Sequence, residues 1–88
     1  MDKRITLYRY SNETGDFIRE ESGLFDHSLG LAMISVAFEK LSKSCNTENA
    51  FFLISISNIV EEQMTFCYIK TDKNGDICEM TRICPQTL

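Results

Sequence analysis

The stretch SLGLAMISVAFEKLSKS, residues 28–44, decides the fold, because its apolar side chains recur at helical spacing while the flanking segments alternate like strands. Steps of three and four residues place these apolar side chains on one helix face: Leu31, Ile34, Phe38 and Leu41. Asp26 or Ser28 can cap the first turn, and Lys40 and Lys43 suit the negative end of the helix dipole. The pattern predicts one amphipathic helix over this stretch.

On either side of the helix, short segments rich in β-branched and aromatic residues predict strands. They cover residues 4–10, 16–20, 50–57, 63–71 and 76–84. Every connection between strands is short enough for a hairpin except the one that contains the helix, which favours antiparallel pairing. The order ββαβββ therefore predicts a two-layer α+β fold, with a single helix packed on an antiparallel sheet of about five strands. At 88 residues, the whole chain is expected to form one domain, 1–88.

The stretch TDKNGDI, residues 71–77, begins like a calcium-binding loop, with the pattern D-x-N-x-D. An EF-hand loop that starts at Asp72 needs Gly at its sixth position and a bidentate Glu at its twelfth. This chain has Ile77 and Ile83 there, and strand-like segments flank the loop where the motif needs helices. The sequence therefore predicts no metal site at this stretch.

A hairpin turn explains the stretch better, because SNETGDF at residues 11–17 repeats its pattern. Asn12 and Asp72 can accept hydrogen bonds from backbone N–H groups two residues on, which initiates a turn. Gly15 and Gly75 can supply the left-handed residue that closes the turn. Both stretches are predicted to be hairpin turns of one geometry.

The second turn also predicts a register. If Thr71 and Asp76 flank it, Ile69 lies opposite Cys78 and Cys67 lies opposite Met80 on one face. The other face then carries Met64, Phe66, Tyr68, Ile77 and Ile83, with Lys70, Glu79 and Thr81 among them. Apolar residues consequently occupy both faces of this strand pair, and one helix can cover only one face. The uncovered face is expected to be an interaction surface.

The residues expected to contact a partner combine this apolar face with exposed tyrosines and acidic residues. They are Tyr8, Tyr10, Phe51, Leu53, Glu61, Glu62, Met64, Phe66, Tyr68, Ile77 and Glu79. Aromatic residues supply affinity at interfaces. Acidic residues around the face would steer a basic protein, such as a nuclease or a nucleic-acid-binding protein; they are Glu61, Glu62, Asp72, Asp76 and Glu79.

The sequence shows no constellation of residues for catalysis. His27 lies between Asp26 and Ser28, but consecutive side chains point apart, so a helix-start cluster explains the three better than a catalytic triad. There is no Gly-rich phosphate loop and no nucleophile motif. We therefore expect no catalytic residues, no cofactor and no enzymatic activity.

The four cysteines allow three interpretations. Cys45, Cys67, Cys78 and Cys84 lack C-x-x-C spacing, and the single histidine leaves a zinc site without its usual ligands. Three of them lie in strand-like runs, which favours buried free thiols over two disulfides or a metal site.

Charge and hydropathy bear on compartment and partner. The N-terminal MDKRITLYRY lacks the apolar segment of a signal peptide, and no run approaches the length of a membrane span, so a cytoplasmic protein is expected. The net charge of −4 argues against nucleic-acid binding, which needs several phosphate contacts.

These observations predict a protein-binding protein that acts as an inhibitor or antagonist, of the immunity-protein or phage anti-defence type. The same face could instead form a homodimer by two-fold sheet-to-sheet contact. The alternative is a regulatory domain that binds a small molecule or nucleic acid through the helix–sheet crevice or the hairpin that carries Arg9 and Arg19.

Overall fold

The computed structural model describes residues 2–58 and 63–87, without the side chains of Asp2, His27, Leu31 and residues 84–87. Its elements are β1 (Asp2–Ser11), β2 (Asp16–Asp26), a 3-10 segment (His27–Ala32), α1 (Met33–Leu41), β3 (Phe51–Asn58), β4 (Gln63–Thr71) and β5 (Ile77–Thr87). The strands form one antiparallel sheet in the order β2-β1-β3-β4-β5, and the α-helix packs on one of its faces. The predicted two-layer α+β architecture and the order ββαβββ are confirmed.

The α-helix is shorter than the periodicity predicts. Residues 27–32 form a 3-10 segment that is interrupted at Gly30, whose φ of 58° lies in the left-handed region and cannot continue a right-handed helix. The carboxylate of Asp26 accepts a hydrogen bond from the Ser28 N–H at 2.9 Å, so the predicted cap begins the 3-10 segment rather than the α-helix. The α-helix itself ends at Leu41.

The core lies between the α-helix and one face of the sheet, which we call the helix-covered face. Its sheet residues are Ile5, Leu7, Phe25, Phe52, Ile54, Ile56, Cys67 and Ile69, and its helix residues are Met33, Ile34, Ala37, Phe38 and Leu41. The rings of Phe38 and Phe52 meet edge to face, with centroids 5.1 Å apart. Because strand residues alternate between faces, the neighbours of these residues project from the opposite face, which we call the open face.

The connection through the helix fixes which strands are neighbours. β2 and β3 both pair antiparallel with β1 and therefore run parallel to each other, with β1 between them. The chain that leaves β2 crosses β1 through the helical segment before it enters β3. This crossover places the helix on the β2–β1 side of the sheet and leaves the other face without a helix among the described residues.

Both predicted turn glycines adopt the left-handed conformation, with φ of 72° at Gly15 and 86° at Gly75. In the second turn the Asp72 carboxylate accepts hydrogen bonds from the N–H groups of Asn74 and Asp76, at 2.9 and 3.0 Å. The stretch that begins like a calcium loop is thus a hairpin turn whose first carboxylate is used by the backbone. The predicted turn between β3 and β4, at 58–62, lies largely outside the described residues.

The predicted register of the last hairpin is wrong by two residues. Ile69 lies opposite Met80, not Cys78, and Cys67 lies opposite Arg82. The turn keeps five residues, 72–76, out of the pairing, and a bulge between the Lys70–Glu79 and Thr71–Ile77 pairs leaves Cys78 as an extra residue. The bulge reverses the alternation of side chains at that point.

Ile77 is consequently on the helix-covered face, where it packs against the core. Its prediction as a residue of the interaction surface is wrong for this reason. β5 also continues past Pro85, where the sequence predicts its end. It is an edge strand, and an edge position tolerates a residue that has no backbone N–H.

Candidate protein-binding face

The open face is built from residues of all five strands. Cross-strand pairs place the following side chains on it: Arg4, Thr6, Tyr8, Tyr10, Phe17, Arg19, Ser22, Leu24, Phe51, Leu53, Ser55, Ser57, Met64, Phe66, Tyr68, Lys70, Glu79, Thr81 and Ile83. Its aromatic residues Tyr10, Phe17, Phe51 and Tyr68 meet at the end of the face near the two hairpin turns. Most side chains of the face are half-buried or exposed.

Four aromatic rings form a continuous cluster on this face, which we call the ring cluster: Tyr10, Phe17, Phe51 and Tyr68. Phe17 meets Tyr10 edge to face at 5.4 Å between centroids, and it lies 5.5 Å from Phe51. Phe51 and Tyr68 stack at 5.8 Å with 20° between their planes. Such geometries add to the stabilisation that burial gives, so the cluster holds its shape in the free protein.

Strand pairing explains why these rings meet. The first hairpin turn places Phe17 directly opposite Tyr10, and β3 begins with Phe51 beside β4. Leu53 lies between Tyr8 on one side and Tyr68 on the other. Four strands thus present one apolar surface.

A polar stripe separates the ring cluster from the other end of the open face. The hydroxyls of Thr6 and Ser22 lie 3.2 Å apart, and Arg4 Nη1 donates to the Ser22 hydroxyl at 3.2 Å. Thr6 and Ser55 are buried although they face away from the helix. Beyond the stripe, Leu24 remains 60% exposed.

The described charges on the open face are mixed. Arg4, Arg19 and Lys70 lie there together with the carboxylates of Glu79 and, at the end of β2, Asp26. Lys70 Nζ lies 3.6 Å from a Glu79 carboxylate oxygen and 5.8 Å from the centroid of the Phe51 ring. Because this pair is more than half exposed, it adds little to stability.

Of the acidic residues expected around the face, the structure describes Asp72, Asp76 and Glu79, and only Glu79 lies on the open face by strand pairing. Asp72 is engaged in its turn, Glu79 pairs with Lys70, and Asp76 is an exposed turn residue. Glu61 and Glu62 lie outside the described residues.

The structure brings together most residues predicted for the interaction surface. Those on the open face are Tyr8, Tyr10, Phe51, Leu53, Met64, Phe66, Tyr68 and Glu79. Sequence reasoning missed Phe17 as a member of the ring cluster. The predicted turn at Gly15 could have identified Phe17, because a hairpin closed at that turn pairs Phe17 with Tyr10.

Three cavities are relevant to ligand binding. One of about 270 Å³ opens between helix and sheet and is lined by Lys3, Gly30, Met33, Ile34, Ile56, Thr65 and Arg82. A second, of about 360 Å³, lies where β1 and β3 diverge, and we call it the sheet-end cavity; its lining is Arg9, Tyr10, Asn12, Asn49, Ala50, Phe51, Lys70 and Thr71. A third, of about 330 Å³, flanks it on the β2 side and is lined by Arg9, Tyr10, Ser11, Asn12, Glu13, Ile18 and Glu20.

The described cysteines are free thiols in three environments. Cys67 is buried, Cys45 is half-buried, and Cys78 is exposed at the bulge. Burial raises the pKa of the Cys67 thiol above its ordinary value, and the Arg82 guanidinium opposes this shift. Burial and then the Glu20 carboxylate raise the pKa of Cys45, and the Arg9 guanidinium opposes this shift. The expectation of a buried thiol is wrong for Cys78, and the side chain of Cys84 lies outside the described part.

Among the side chains that the structure describes, no group of His, Cys, Asp and Glu is arranged to hold a metal ion. Within residues 2–58 and 63–87, no helix is long and apolar enough to cross a membrane.

No protein-family model, curated protein or solved structure matches this chain. The functional argument therefore rests on the geometry of the open face.

Proposed function

We propose that this chain is a protein-binding domain that uses the open face of its sheet as the contact surface. The observation that supports the proposal is the ring cluster of Tyr10, Phe17, Phe51 and Tyr68 on a face that no described element covers. Aromatic side chains already packed on one another lose little conformational entropy on binding. Tyrosine hydroxyls also let the surface remain in contact with water when the partner is absent.

The role that follows is an inhibitor or antagonist in the cytosol, which acts by occupying a surface of another protein. A chain this small has little area besides this face and the helix for a specific contact. The described charges on the face are nearly balanced, because Arg4, Arg19 and Lys70 share it with Glu79 and Asp26. The net charge of −4 still favours a basic partner, such as a nuclease or a nucleic-acid-binding protein.

Affinity capture with matched variants tests the proposal. Phe66→Asp and Tyr68→Asp place a charge on the open face, whereas Met80→Asp places the same charge on the same strand pair at a position that points to the other side and is 42% exposed. We expect one host protein to be retained by the wild type and by Met80→Asp and to be lost with both open-face variants. Purified components should then reproduce the loss.

Circular dichroism of each variant controls for folding, because a binding defect should leave the helix signal unchanged. A partner that is retained equally by all variants would exclude the open face as the contact surface. Analytical ultracentrifugation tests the homodimer: a dimer that dissociates with Tyr68→Asp would assign the face to a second copy of this chain.

A nucleic-acid-binding domain is the second candidate, because three cations and several aromatic rings share the open face. Base stacking needs accessible ring faces, and the rings of the cluster contact one another at centroid distances of 5.4 to 6.0 Å. This packing favours the protein-binding proposal. A salt-titrated assay with single-stranded RNA and DNA decides between them, since nucleic-acid binding should weaken steeply as salt rises.

A further inference from the structure

We infer that the sheet-end cavity binds a small anionic group, a carboxylate or a phosphate, through the guanidinium of Arg9, with Lys70 as a second cation. This site goes beyond the proposed function and is tested without a protein partner, although Tyr10, Phe51 and Lys70 of its lining also belong to the open face. The cavity measures about 360 Å³, enough for a small organic acid or a phosphate ester.

Arg9 carries the inference because its side chain has an unused hydrogen-bond donor in a buried position. Its Nε is buried and has no hydrogen-bond partner among the described residues. A buried donor without a partner costs free energy, and native proteins leave few of them. The Nε–H and an Nη–H of one guanidinium form a fork that fits the two oxygens of a carboxylate or phosphate.

Arg9 lies where the sheet opens. The pairing of β1 with β3 ends at Arg9 and Phe52, and beyond this pair the two strands diverge around the cavity. Arg9 belongs to the helix-covered side of the sheet, where the core residues next to it are apolar. Glu20 lines the neighbouring cavity with Arg9, and both act on the Cys45 thiol, but no described carboxylate accepts a hydrogen bond from the Arg9 Nε–H.

The polar lining of the cavity suits an anion. Lys70, which also pairs with Glu79 at 3.6 Å, is the second cation of the lining, and the side chains of Asn12 and Asn49 carry amide N–H donors. The described lining contains no carboxylate. The neighbouring cavity on the β2 side shares Arg9 but is lined by Glu13 and Glu20, whose charges disfavour an anion there. The charges thus select one of the two cavities.

One wall of the cavity is held in place by hydrogen bonds. The N–H of Ala50 donates to the Thr71 hydroxyl at 2.9 Å, and the N–H of Thr71 donates to the Ala50 carbonyl at 3.0 Å. The N–H of Asn49 donates to the Asp72 carbonyl at 2.8 Å. A wall fixed before binding reduces the entropy that a ligand must overcome.

The other wall is aromatic. Tyr10 and Phe51 line the cavity, and their ring centroids are 6.0 Å apart. An anion attached to a planar or apolar group could place that group against these rings. The inferred ligand class is therefore a small carboxylic acid or phosphate ester, with preference for one that carries an aromatic group.

NMR titration of the wild-type protein with inorganic phosphate and, separately, with benzoate tests the inference. At constant ionic strength we expect saturable shifts of the Arg9 Nε–H signal and of the backbone amides of Asn49 to Phe51 and of Thr71. Tighter binding of benzoate supports a carboxylate beside the rings, and tighter binding of phosphate supports a phosphoryl group. Shifts that do not saturate, or that spread over all basic residues, overturn the inference.

Two variants complete the test. Arg9→Gln should weaken the binding of either anion about tenfold or more, the loss expected for one charge-assisted hydrogen-bonded contact. Arg82→Gln makes the same charge change away from the sheet-end cavity and should alter the affinity less than about twofold. Equal weakening in both variants would show a general charge effect and overturn the site. The Arg9 Nε–H shift in the wild type decides the matter even if Arg9→Gln is unstable.

Discussion

The two faces of the sheet are built from the same strands but differ in residue composition and in burial. The helix-covered face is mostly aliphatic, and Ile5, Leu7, Phe52, Ile54 and Ile69 are fully buried there. The open face substitutes aromatic residues, hydroxyls and cations, and its large side chains stay partly accessible. Phe51 and Phe52 show the contrast within two neighbouring residues. The helix-covered face is suited to a permanent core. The open face is suited to a surface that contacts water until a partner covers it.

The largest expected effect comes from truncating these two neighbours separately. Phe52→Ala removes a fully buried ring beneath Phe38 and should lower the free energy of unfolding by about 3 to 5 kcal/mol. Phe51→Ala removes a half-buried ring whose contacts lie within the ring cluster and should cost about 1 kcal/mol. Urea unfolding of both variants measures the difference. Equal losses would mean that the open face is part of the core.

Deleting single residues of β5 tests the bulge that assigns side chains to the two faces. Without Cys78, Ile77 and Glu79 become neighbours and alternate correctly between the faces, so the cost should be about 1 kcal/mol or less. Deletion of Thr81 exchanges the faces within a regular part of the strand and should cost more than about 2 kcal/mol. Thermal unfolding distinguishes the two. A Cys78 deletion as damaging as the Thr81 deletion would contradict the bulge.

The two turns extend the comparison to the end of the sheet. Gly75→Ala should cost about 2 kcal/mol, because φ is 86° and an added Cβ would lie 2.5 Å from Thr47 Oγ1. Gly15→Ala meets nothing within 4 Å, so only its φ of 72° opposes the change and the cost should be about 1 kcal/mol. Differential scanning calorimetry measures both. A Gly15 variant less stable than the Gly75 variant would contradict the tight approach of Thr47.

The last comparison concerns the reactivity of the thiols rather than the stability of the fold. Alkylation followed residue by residue with mass spectrometry should modify exposed Cys78 at least about 100-fold faster than buried Cys67, which reacts only after local opening. Comparable rates at the two residues would show that the helix-covered face opens readily.

The pH dependence of stability follows from the raised pKa of Cys67. Because burial raises it, the contribution of the neutral thiol is fully present below the ordinary pKa of 9.0 and is lost as the pH rises through the higher pKa of the folded state. The free energy of unfolding should therefore decline above about pH 9, and Cys67→Ala should reduce that decline.

The sequence predicts the architecture well because the spacing of apolar residues differs between helix and strands. Helical spacing in 28–44 and alternation elsewhere specify one helix and five strands, and the turn glycines specify two hairpins. The same reasoning does not predict the residue at which the α-helix begins. The apolar spacing continues through Gly30, and only the backbone conformation there separates the 3-10 segment from the helix.

The open face could be predicted only in part. Strand alternation identified Phe51, Leu53 and Tyr68, but a bulge changes alternation by one residue and leaves little trace in the sequence. Ile77 was misplaced for this reason. The unpartnered Nε of Arg9 and its cavity depend on where β1 and β3 diverge, which a strand pattern does not specify.

The crossover that places the helix over β1 also has a consequence for how the chain folds. β1 with β2, and β3 with β4 and β5, can each form from local pairings, whereas the pairing of β1 with β3 joins residues as distant as Arg4 and Ser57. Closing that long loop costs entropy before the contacts of the core compensate for it. We therefore expect the seam between β1 and β3 to form in the rate-limiting step, with two preformed halves meeting under the helix.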